Sequence, residues 1–227
     1  MHCLWCDTTI MPEISWKTII WLPKPKRLCA SCEDTLMILQ GKRCSKCSRV
    51  SDSDRCPDCT WLERRTTQED SLICNYSVFA YNEAIKEMVA RWKYRGDYCL
   101  AEAFQRDYRQ AFDREFSFLP GKTAVVPIPL SGQRMDERGF NQAQRLADFL
   151  PLPTLDILTR SHREKQSKKS RRERLEADNP FRMTGSINNP VLLADDIYTT
   201  GTTLRRAASV LKKHGCPAVY ALTLIRG

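Results

Sequence analysis

Two adjacent carboxylates, Asp195 and Asp196, directly follow a short apolar run and directly precede a run of small hydroxyl residues. The apolar run, residues 191–194, predicts a buried parallel strand, because a strand covered on both faces needs no polar alternation. Apolar residues from 204 to 211 recur at helical spacing, so the loop between them opens a helix. A helix start attracts phosphate, and carboxylates at a strand end can hold a sugar diol or Mg²⁺. The stretch therefore predicts a site for a phosphorylated sugar. The loop residues predicted to bind it are Thr199, Thr200, Gly201, Thr202 and Thr203.

This arrangement resembles the phosphoribosyl pyrophosphate (PRPP) motif of type I phosphoribosyltransferases. The resemblance implies that the acidic pair contacts the ribose 2′ and 3′ hydroxyls and that the Thr/Gly loop holds the 5′-phosphate. The alternative is a plain strand followed by a capped helix, but paired carboxylates there would be costly without partners. No G-x-x-x-x-G-K-[ST] occurs and the two Asp are adjacent, which argues against a Walker-type ATPase and a D-x-D phosphatase.

A second loop, after the predicted strand 123–128, is expected on the same rim of the sheet. Ser131 and Gly132 allow a close backbone approach there. The guanidinium forks of Arg134 and Arg138 suit pyrophosphate better than a point charge does. This loop therefore predicts a pyrophosphate site, with a prolyl turn and solvated arginines as the alternative.

Residues 160–174 are the most basic segment, with eight Lys and Arg against two Glu. Such a run cannot pack as core, so it predicts a lid over a polyanion, a nucleic-acid-binding arm or a solvated face. The residues assigned to the lid or to DNA binding are Lys165, Lys168, Lys169, Arg171, Arg172 and Arg174.

Eight of the eleven cysteines form four C-x-x-C pairs. Each pair places two thiolates on one tight turn, and two such turns complete a tetrahedral Zn²⁺ site. In chain order the ligands are Cys3, Cys6, Cys29 and Cys32 for a first ribbon and Cys44, Cys47, Cys56 and Cys59 for a second. An interleaved pairing, redox-active pairs and an iron–sulfur cluster are the alternatives. A four-cysteine shell leaves no open position, so we expect two structural zinc ions.

Charge divides the chain unevenly. Residues 1–75 carry 11 Lys and Arg against 10 Asp and Glu, whereas residues 76–227 carry 25 against 17. The basic surplus therefore belongs to the second part and favours a phosphate-rich partner. The cysteine usage, the opening Met-His-Cys and the absence of a long apolar run predict a cytoplasmic protein without a membrane span.

Apolar patterns predict strands near 74–80, 123–128, 155–158, 191–194 and 218–225, alternating with helices. The predicted fold class is therefore α/β, with a doubly wound, mostly parallel sheet that has helices on both faces. We expect two domains, a double zinc ribbon over residues 1–70 and a phosphoribosyltransferase-like domain over residues 71–227.

Four features together resemble the ComF family of competence proteins. They are the double zinc ribbon, the Pro-Ile-Pro-Leu loop leading to Arg-Gly-Phe-Asn-Gln, the basic segment before Asn179-Pro180-Phe181, and Asp-Asp-x-x-Thr-Thr-Gly-x-Thr. The resemblance covers nearly the whole chain and implies a type I phosphoribosyltransferase fold. It also implies a role in natural transformation, in which single-stranded DNA enters the cytosol alongside a helicase-like translocase, with recruitment to the inner face of the membrane.

Three functions remain open from the sequence. The first is a DNA-uptake accessory that binds single-stranded DNA and partner proteins and keeps a PRPP pocket. The second is an active phosphoribosyltransferase using Mg²⁺, for which no acceptor site is evident. The third is a PRPP sensor without turnover.

Overall fold

The computed structural model describes residues 1–11, 26–65, 70–94, 96–161 and 179–227. The helices are α1 (Ala30–Glu33), α2 (Pro57–Arg65), α3 (Glu83–Tyr94), α4 (Gln105–Glu115), α5 (Gly132–Arg138), α6 (Gln142–Ala147) and α7 (Thr202–Lys213), with a 3₁₀ helix at Tyr98–Ala103. The strands are β1 (Asn75–Ala80), β2 (Ala124–Pro127), β3 (Leu158–Arg160), β4 (Phe181–Met183), β5 (Val191–Tyr198) and β6 (Val219–Arg226). Among these helices none is long and apolar enough to cross a membrane.

The main sheet has four parallel strands in the order β1-β6-β5-β2. Its central strand β5 alternates between two cores: Leu192 and Ala194 pack with α3 and α4, and Val191 and Leu193 pack with α7. A strand buried on both faces reads as a continuous apolar run, which is the pattern from which it was predicted. The α/β class with helices on both faces is confirmed.

Helix α3 shows how the sequence sets one side of the later site. Its start is fixed by Asn82, whose Oδ1 accepts a hydrogen bond of 2.8 Å from the Ile85 amide. One face then buries Ile85, Met88, Val89 and Trp92 against the sheet. Burial of each such side chain stabilises the fold by about 1.5–3 kcal/mol, as an upper estimate. The helix ends at Tyr94, with Lys93 in its last turn.

The predicted strand 155–158 is wrong as a member of the main sheet. Among the described residues, its pairing with that sheet is one isolated parallel bridge between Thr154 and Val125, made by hydrogen bonds from Val125 N to Pro153 O and from Leu155 N to Val125 O. The chain then leaves, and β3 pairs with β4 in a separate antiparallel arm. Pro151 and Pro153 lie just before Thr154 in the chain and have no N–H to donate to a neighbouring strand. Their absence as donors limits the pairing to a single bridge.

Strand β5 is also longer than predicted. It continues through Asp195 and Asp196 to Tyr198 because β6 runs beside it for its full length, with Asp195 opposite Thr223. On its other side β2 ends at Pro127, opposite Ala194. The two carboxylates therefore lie within the strand but beyond the end of their neighbour.

The outer edge of β1 is covered by the cysteine-rich residues. Linker residues 37–39 bond to it through two backbone hydrogen bonds, Leu39 N to Val78 O and Ala80 N to Met37 O. Further along, the Asn75 amide donates to the Lys46 carbonyl and the Ser48 hydroxyl donates to the Asn75 carbonyl. An uncovered edge strand would offer unpaired backbone groups to other chains. Residues 37–48 therefore protect the edge of the sheet at β1.

Candidate functional site

The carboxylates at the end of β5 are held close to their own strand. The Asp196 amide donates to Asp195 Oδ1 and the Ile197 amide to Asp196 Oδ1, both at 2.9 Å. Both residues are only partly exposed. Beside them the chain after β2 is tied to the sheet by the Ile128 amide, which donates to the Ala194 carbonyl at 3.0 Å. The loop of Ser131 and Gly132 therefore leaves the sheet next to Asp195, as the sequence predicted.

Four cationic side chains from three elements converge on these two carboxylates. Lys93 of α3 forms an ion pair with Asp196, with side chains 13% and 16% exposed. Arg134 and Arg138 of α5 and Arg160 of β3 are near enough to act on the pKa of Asp195. Positive charge therefore exceeds negative charge around these two carboxylates, which favours an anion there.

The pKa values of two of these groups are displaced towards neutrality. Burial raises the pKa of Asp195 to about 7, although Lys93, Arg160 and the two arginines of α5 oppose the rise. Burial likewise lowers the pKa of Lys93 to about 8; Asp195 opposes this, and Arg138 and Arg134 add to it. Perturbed titratable groups of opposite sign in one cleft are typical of functional sites.

Arg138 is fixed by its neighbours but not saturated. Its Nη1 donates to Gln142 Oε1 at 2.9 Å, and its guanidinium lies over the Tyr94 ring, 5.2 Å from the centroid. The buried Nε has no hydrogen-bond partner within the described ranges. Arg138 Nε is thus a buried donor whose hydrogen-bonding capacity is not used by the described residues.

The loop after β5 has the geometry of an anion site. Gly201 has φ +76°, and a Cβ there would lie 2.2 Å from Tyr198 Oη and 2.5 Å from Arg205 Nη1, so only glycine fits. Helix α7 begins at Thr202 without a side-chain cap from Gly201, and the Thr202 amide donates to Thr200 Oγ1 at 3.4 Å. A helix start of this kind favours an anion. The hydroxyls of Thr200 and Thr202 are 2.9 Å apart beside it. Thr199, Thr200 and Thr202 are exposed and Thr203 is half-buried.

The remaining predicted ligands are distributed as follows. Ser131 accepts a hydrogen bond from the Arg134 amide as the N-cap of α5, so part of its hydroxyl is already used. The basic residues assigned to a lid or to DNA, from Lys165 to Arg174, lie outside the described residues. Of the basic residues of segment 160–174 only Arg160, the last residue of β3, is described, and it lies near Asp195.

Lys93 was not predicted as part of the site, and Arg160 was predicted only as part of the basic segment 160–174, without the antiparallel arm that carries it. A lysine in the last turn of a helix is ordinary, because it suits the helix dipole. Nothing local in the sequence distinguishes Lys93 from Lys86, which pairs with Glu83 in solvent. The order of strands, rather than spacing along the chain, brings Lys93 to the carboxylates.

The cysteines form two groups in chain order: Cys3, Cys6, Cys29 and Cys32, and Cys44, Cys47, Cys56 and Cys59. Within each group the four Sγ atoms lie within 4.8 Å of one another. The Cys6–Cys29 and Cys47–Cys56 sulfur pairs are each 3.6 Å apart. A tetrahedral zinc ion with bonds of about 2.3 Å separates its sulfur ligands by about 3.8 Å. Both tetrads can therefore hold a zinc ion.

The tryptophans of the cysteine-rich part differ in burial. Trp5 is half-buried beneath Arg91, whereas Trp61 is 55% exposed with Arg65 over its ring. Trp16 and Trp21 lie outside the described residues. Core packing therefore does not account for Trp61.

Known proteins resemble this chain at two levels. Residues 135–227 match the phosphoribosyl transferase domain family, so the chain contains a phosphoribosyltransferase domain of type I. Over 232 residues the chain is 39% identical to Competence protein ComFC of Bacillus subtilis (strain 168), covering 99% of this chain and 94% of that protein. It is 31% identical to Competence protein ComFC of Streptococcus pneumoniae (strain ATCC BAA-255 / R6), covering all of both. The chain belongs to the ComFC family of competence proteins.

Among solved structures, a hypoxanthine phosphoribosyltransferase from Staphylococcus aureus aligns with 56% of this chain and 64% of its own. That alignment has 19% identity and a TM-score of 0.36.

Proposed function

We propose that this protein binds PRPP, or a closely related phosphosugar, together with Mg²⁺, and that it assists the uptake of single-stranded DNA into the cytosol during natural transformation. In this proposal the phosphosugar occupies a regulatory pocket. Asp195 and Asp196 hold the ribose hydroxyls and the loop from Thr199 to Thr203 holds the 5′-phosphate. The second loop, with Arg134 and Arg138, holds the pyrophosphate.

One observation carries the PRPP part of the proposal: four cationic groups surround two carboxylates beside a glycine-dependent helix start. A phosphosugar diphosphate matches both features. Its diol hydroxyls donate hydrogen bonds to the carboxylates, while its phosphates balance the excess positive charge. When bound, Mg²⁺ would neutralise part of the pyrophosphate charge, and oxygen ligands are what it prefers.

The DNA part of the proposal rests on the family and on charge. The similar proteins from Bacillus subtilis and Streptococcus pneumoniae are both named competence proteins. The net charge of +9 favours a polyanionic partner. We propose that the chain works in the cytoplasm with a helicase-like DNA translocase, which recruits it to the inner face of the membrane.

The PRPP site is tested by calorimetric titration of the purified chain with PRPP in the presence of Mg²⁺. We expect one binding event per chain in the wild type and none in Asp195→Asn plus Asp196→Asn. A matched control, Asp113→Asn plus Asp148→Asn, removes two exposed carboxylates that pair only within their own helical segments and should bind as the wild type does. Equal binding by the Asp195 and Asp196 double variant would remove the assignment.

DNA binding is tested by the salt dependence of single-strand affinity. Each phosphate contact contributes a slope of about −0.7 in log affinity against log salt. Replacing Lys168, Lys169, Arg171 and Arg172 with Ala should flatten that slope and weaken binding nearly equally for all sequences, because phosphate contacts carry no base information. If the variant loses only PRPP affinity, the segment is a lid and the DNA proposal for it fails.

An active phosphoribosyltransferase remains a second candidate because a cleft adjoins the site. Its volume is about 550 Å³, and Leu130, Phe140 and Arg160 are among its lining residues. An acceptor there would form a bond to ribose C1 as the bond from C1 to the pyrophosphate oxygen breaks. Steady release of pyrophosphate with one member of a panel of bases would establish this activity, and its absence with all of them would favour binding alone.

A further inference from the structure

A chain of three charged side chains runs from the second cysteine tetrad to the loop after β5. Lys46, between Cys44 and Cys47, donates to the Leu72 carbonyl at 2.5 Å and lies 3.3 Å from Asp70 Oδ2. The same Asp70 oxygen accepts a hydrogen bond from Arg205 Nε at 2.9 Å. Arg205 Nη1 then donates to the Thr200 carbonyl at 2.8 Å.

We infer that Lys46, Asp70 and Arg205 are positioning residues that seat the Thr200–Gly201 loop on the second cysteine ribbon, so that the affinity of this loop for phosphate depends on the integrity of that ribbon. The affinity part of this inference rests on the proposed function. The seating of the loop is independent of it.

The three charged side chains of this chain of contacts are largely buried. Lys46 is 8% exposed, and the side chains of Asp70 and Arg205 are 18% and 17% exposed. Although burial opposes it, the hydrogen bonds from Arg205 and the Leu72 amide, together with the charges of Arg205 and Lys46, hold the pKa of Asp70 below its ordinary value. Asp70 is therefore charged at neutral pH and fixed on both oxygens, since Oδ1 also accepts from the Leu72 amide at 3.1 Å.

The ribbon also supports the loop by direct packing. Tyr198 is buried in the same apolar cluster as the four cysteines of the second tetrad and Leu204. Its hydroxyl occupies the space that a side chain at position 201 would need. Arg226 Nη1 donates to the Tyr198 carbonyl at 3.2 Å and fixes the strand end. A shift of the ribbon would thus move both Tyr198, which packs against the loop, and Arg205, which donates to the Thr200 carbonyl.

A purely packing role would not call for these residue types. Burying an ammonium, a carboxylate and a guanidinium has a desolvation cost that apolar residues of similar volume avoid. The guanidinium of Arg205 lies directly beside the loop, where its positive charge adds to the attraction for an anion. The contact of Arg205 with the Thr200 carbonyl also fixes the peptide that leads into Gly201.

The test uses the full chain and three variants. Lys46→Met removes the charge but keeps most of the volume, Asp70→Asn removes the charge of the middle member, and Lys46→Arg keeps the charge and the donors. Asp113→Asn, which breaks an exposed pair with Arg109, is the matched control. The main readout is the exchange rate of the Arg205 amide, which donates to the Gly201 carbonyl at 2.9 Å and reports on the loop.

We expect faster exchange of the Arg205 amide in Lys46→Met and Asp70→Asn, near wild-type exchange in Lys46→Arg, and two zinc equivalents in all variants. Affinity for PRPP should fall about tenfold in the first two, the scale of a lost charge-assisted hydrogen bond. Unchanged Arg205 exchange in Lys46→Met and Asp70→Asn overturns the inference, whatever the affinity does. If the wild type does not bind PRPP, the proposed function fails, and the exchange rates alone still decide the seating of the loop.

Discussion

The two cysteine tetrads share one local design and differ in what they support. In both, a C-x-x-C turn closes on itself, with the amide after the second cysteine donating to the carbonyl of the first. That following residue, Asp7 or Ser48, has φ of 61° in each. The middle of the turn differs, because Trp5 occupies the position equivalent to Lys46.

Trp5 and Lys46 give the two tetrads different neighbours. Trp5 packs under Arg91 of α3 and accepts a hydrogen bond of 3.0 Å from it at its carbonyl. Lys46 instead reaches towards Asp70 and the loop of the candidate phosphosugar site. All four cysteines of the second tetrad are buried, whereas Cys6 of the first is exposed and Cys29 is half-buried. Two similar C-x-x-C turns can therefore differ in role: the first packs against α3, and the second contacts residues that hold the candidate site.

The largest expected effect comes from removing either tetrad. We predict two zinc equivalents per wild-type chain and one in each of two double variants, Cys44→Ser with Cys47→Ser and Cys3→Ser with Cys6→Ser. The second tetrad should matter more to stability, because all four of its cysteines are buried in a core cluster, whereas only Cys3 and Cys32 of the first tetrad are. Elemental analysis and thermal unfolding measure both effects. One zinc per folded wild-type chain, or equal destabilisation by the two variants, would contradict the comparison.

A smaller effect is expected from Gly201→Ala. This variant tests whether Tyr198 and Arg205, which contact the second ribbon, fix the conformation of the loop. The added Cβ would meet Tyr198 Oη and Arg205 Nη1, and its φ of +76° is strained for alanine, at a cost of about 1–3 kcal/mol. We predict loss of PRPP binding with zinc retained, measured by calorimetry and elemental analysis. Adding Tyr198→Phe should recover only part of the stability, because the backbone strain stays. Full recovery would mean that the loop conformation is not constrained.

The smallest effect is a pH dependence of about tenfold. The pKa of Asp195 is raised in the folded chain to about 7, so between its unfolded value and 7 the native state binds the extra proton. This group therefore favours the fold at low pH, and its contribution declines as pH rises to 7. If PRPP needs the carboxylate charged, affinity should rise about tenfold from pH 6 to pH 8. Above pH 8, loss of the Lys93 proton should lower it again.

Binding measured across this range checks the prediction, with Asp195→Asn as the control for ionisation of the ligand itself. A wild-type profile that matches the variant at every pH would exclude Asp195 from the site. Lys93→Met should leave the rise in place and remove the decline above pH 8.

Local patterns predicted those parts of the molecule whose causes are local. The strand, carboxylates and loop from 191 to 203 are contiguous, and the cysteine spacing determines the tetrads. Lys93 and Lys46 could not be predicted in the same way, because strand order and the docking of residues 37–48 on β1 place them. The β3–β4 arm was missed because β-branched and apolar residues near 155–158 fit either sheet.

The claim that the second ribbon seats the Thr200–Gly201 loop of the phosphosugar site is tested most directly by stepwise zinc removal with a chelator while PRPP affinity is followed. The first tetrad, with Cys6 exposed, should lose its metal first. We predict unchanged PRPP affinity after the first zinc equivalent is released and loss of binding with the second. A fall in affinity that follows the first equivalent, or binding that survives removal of both, would contradict it.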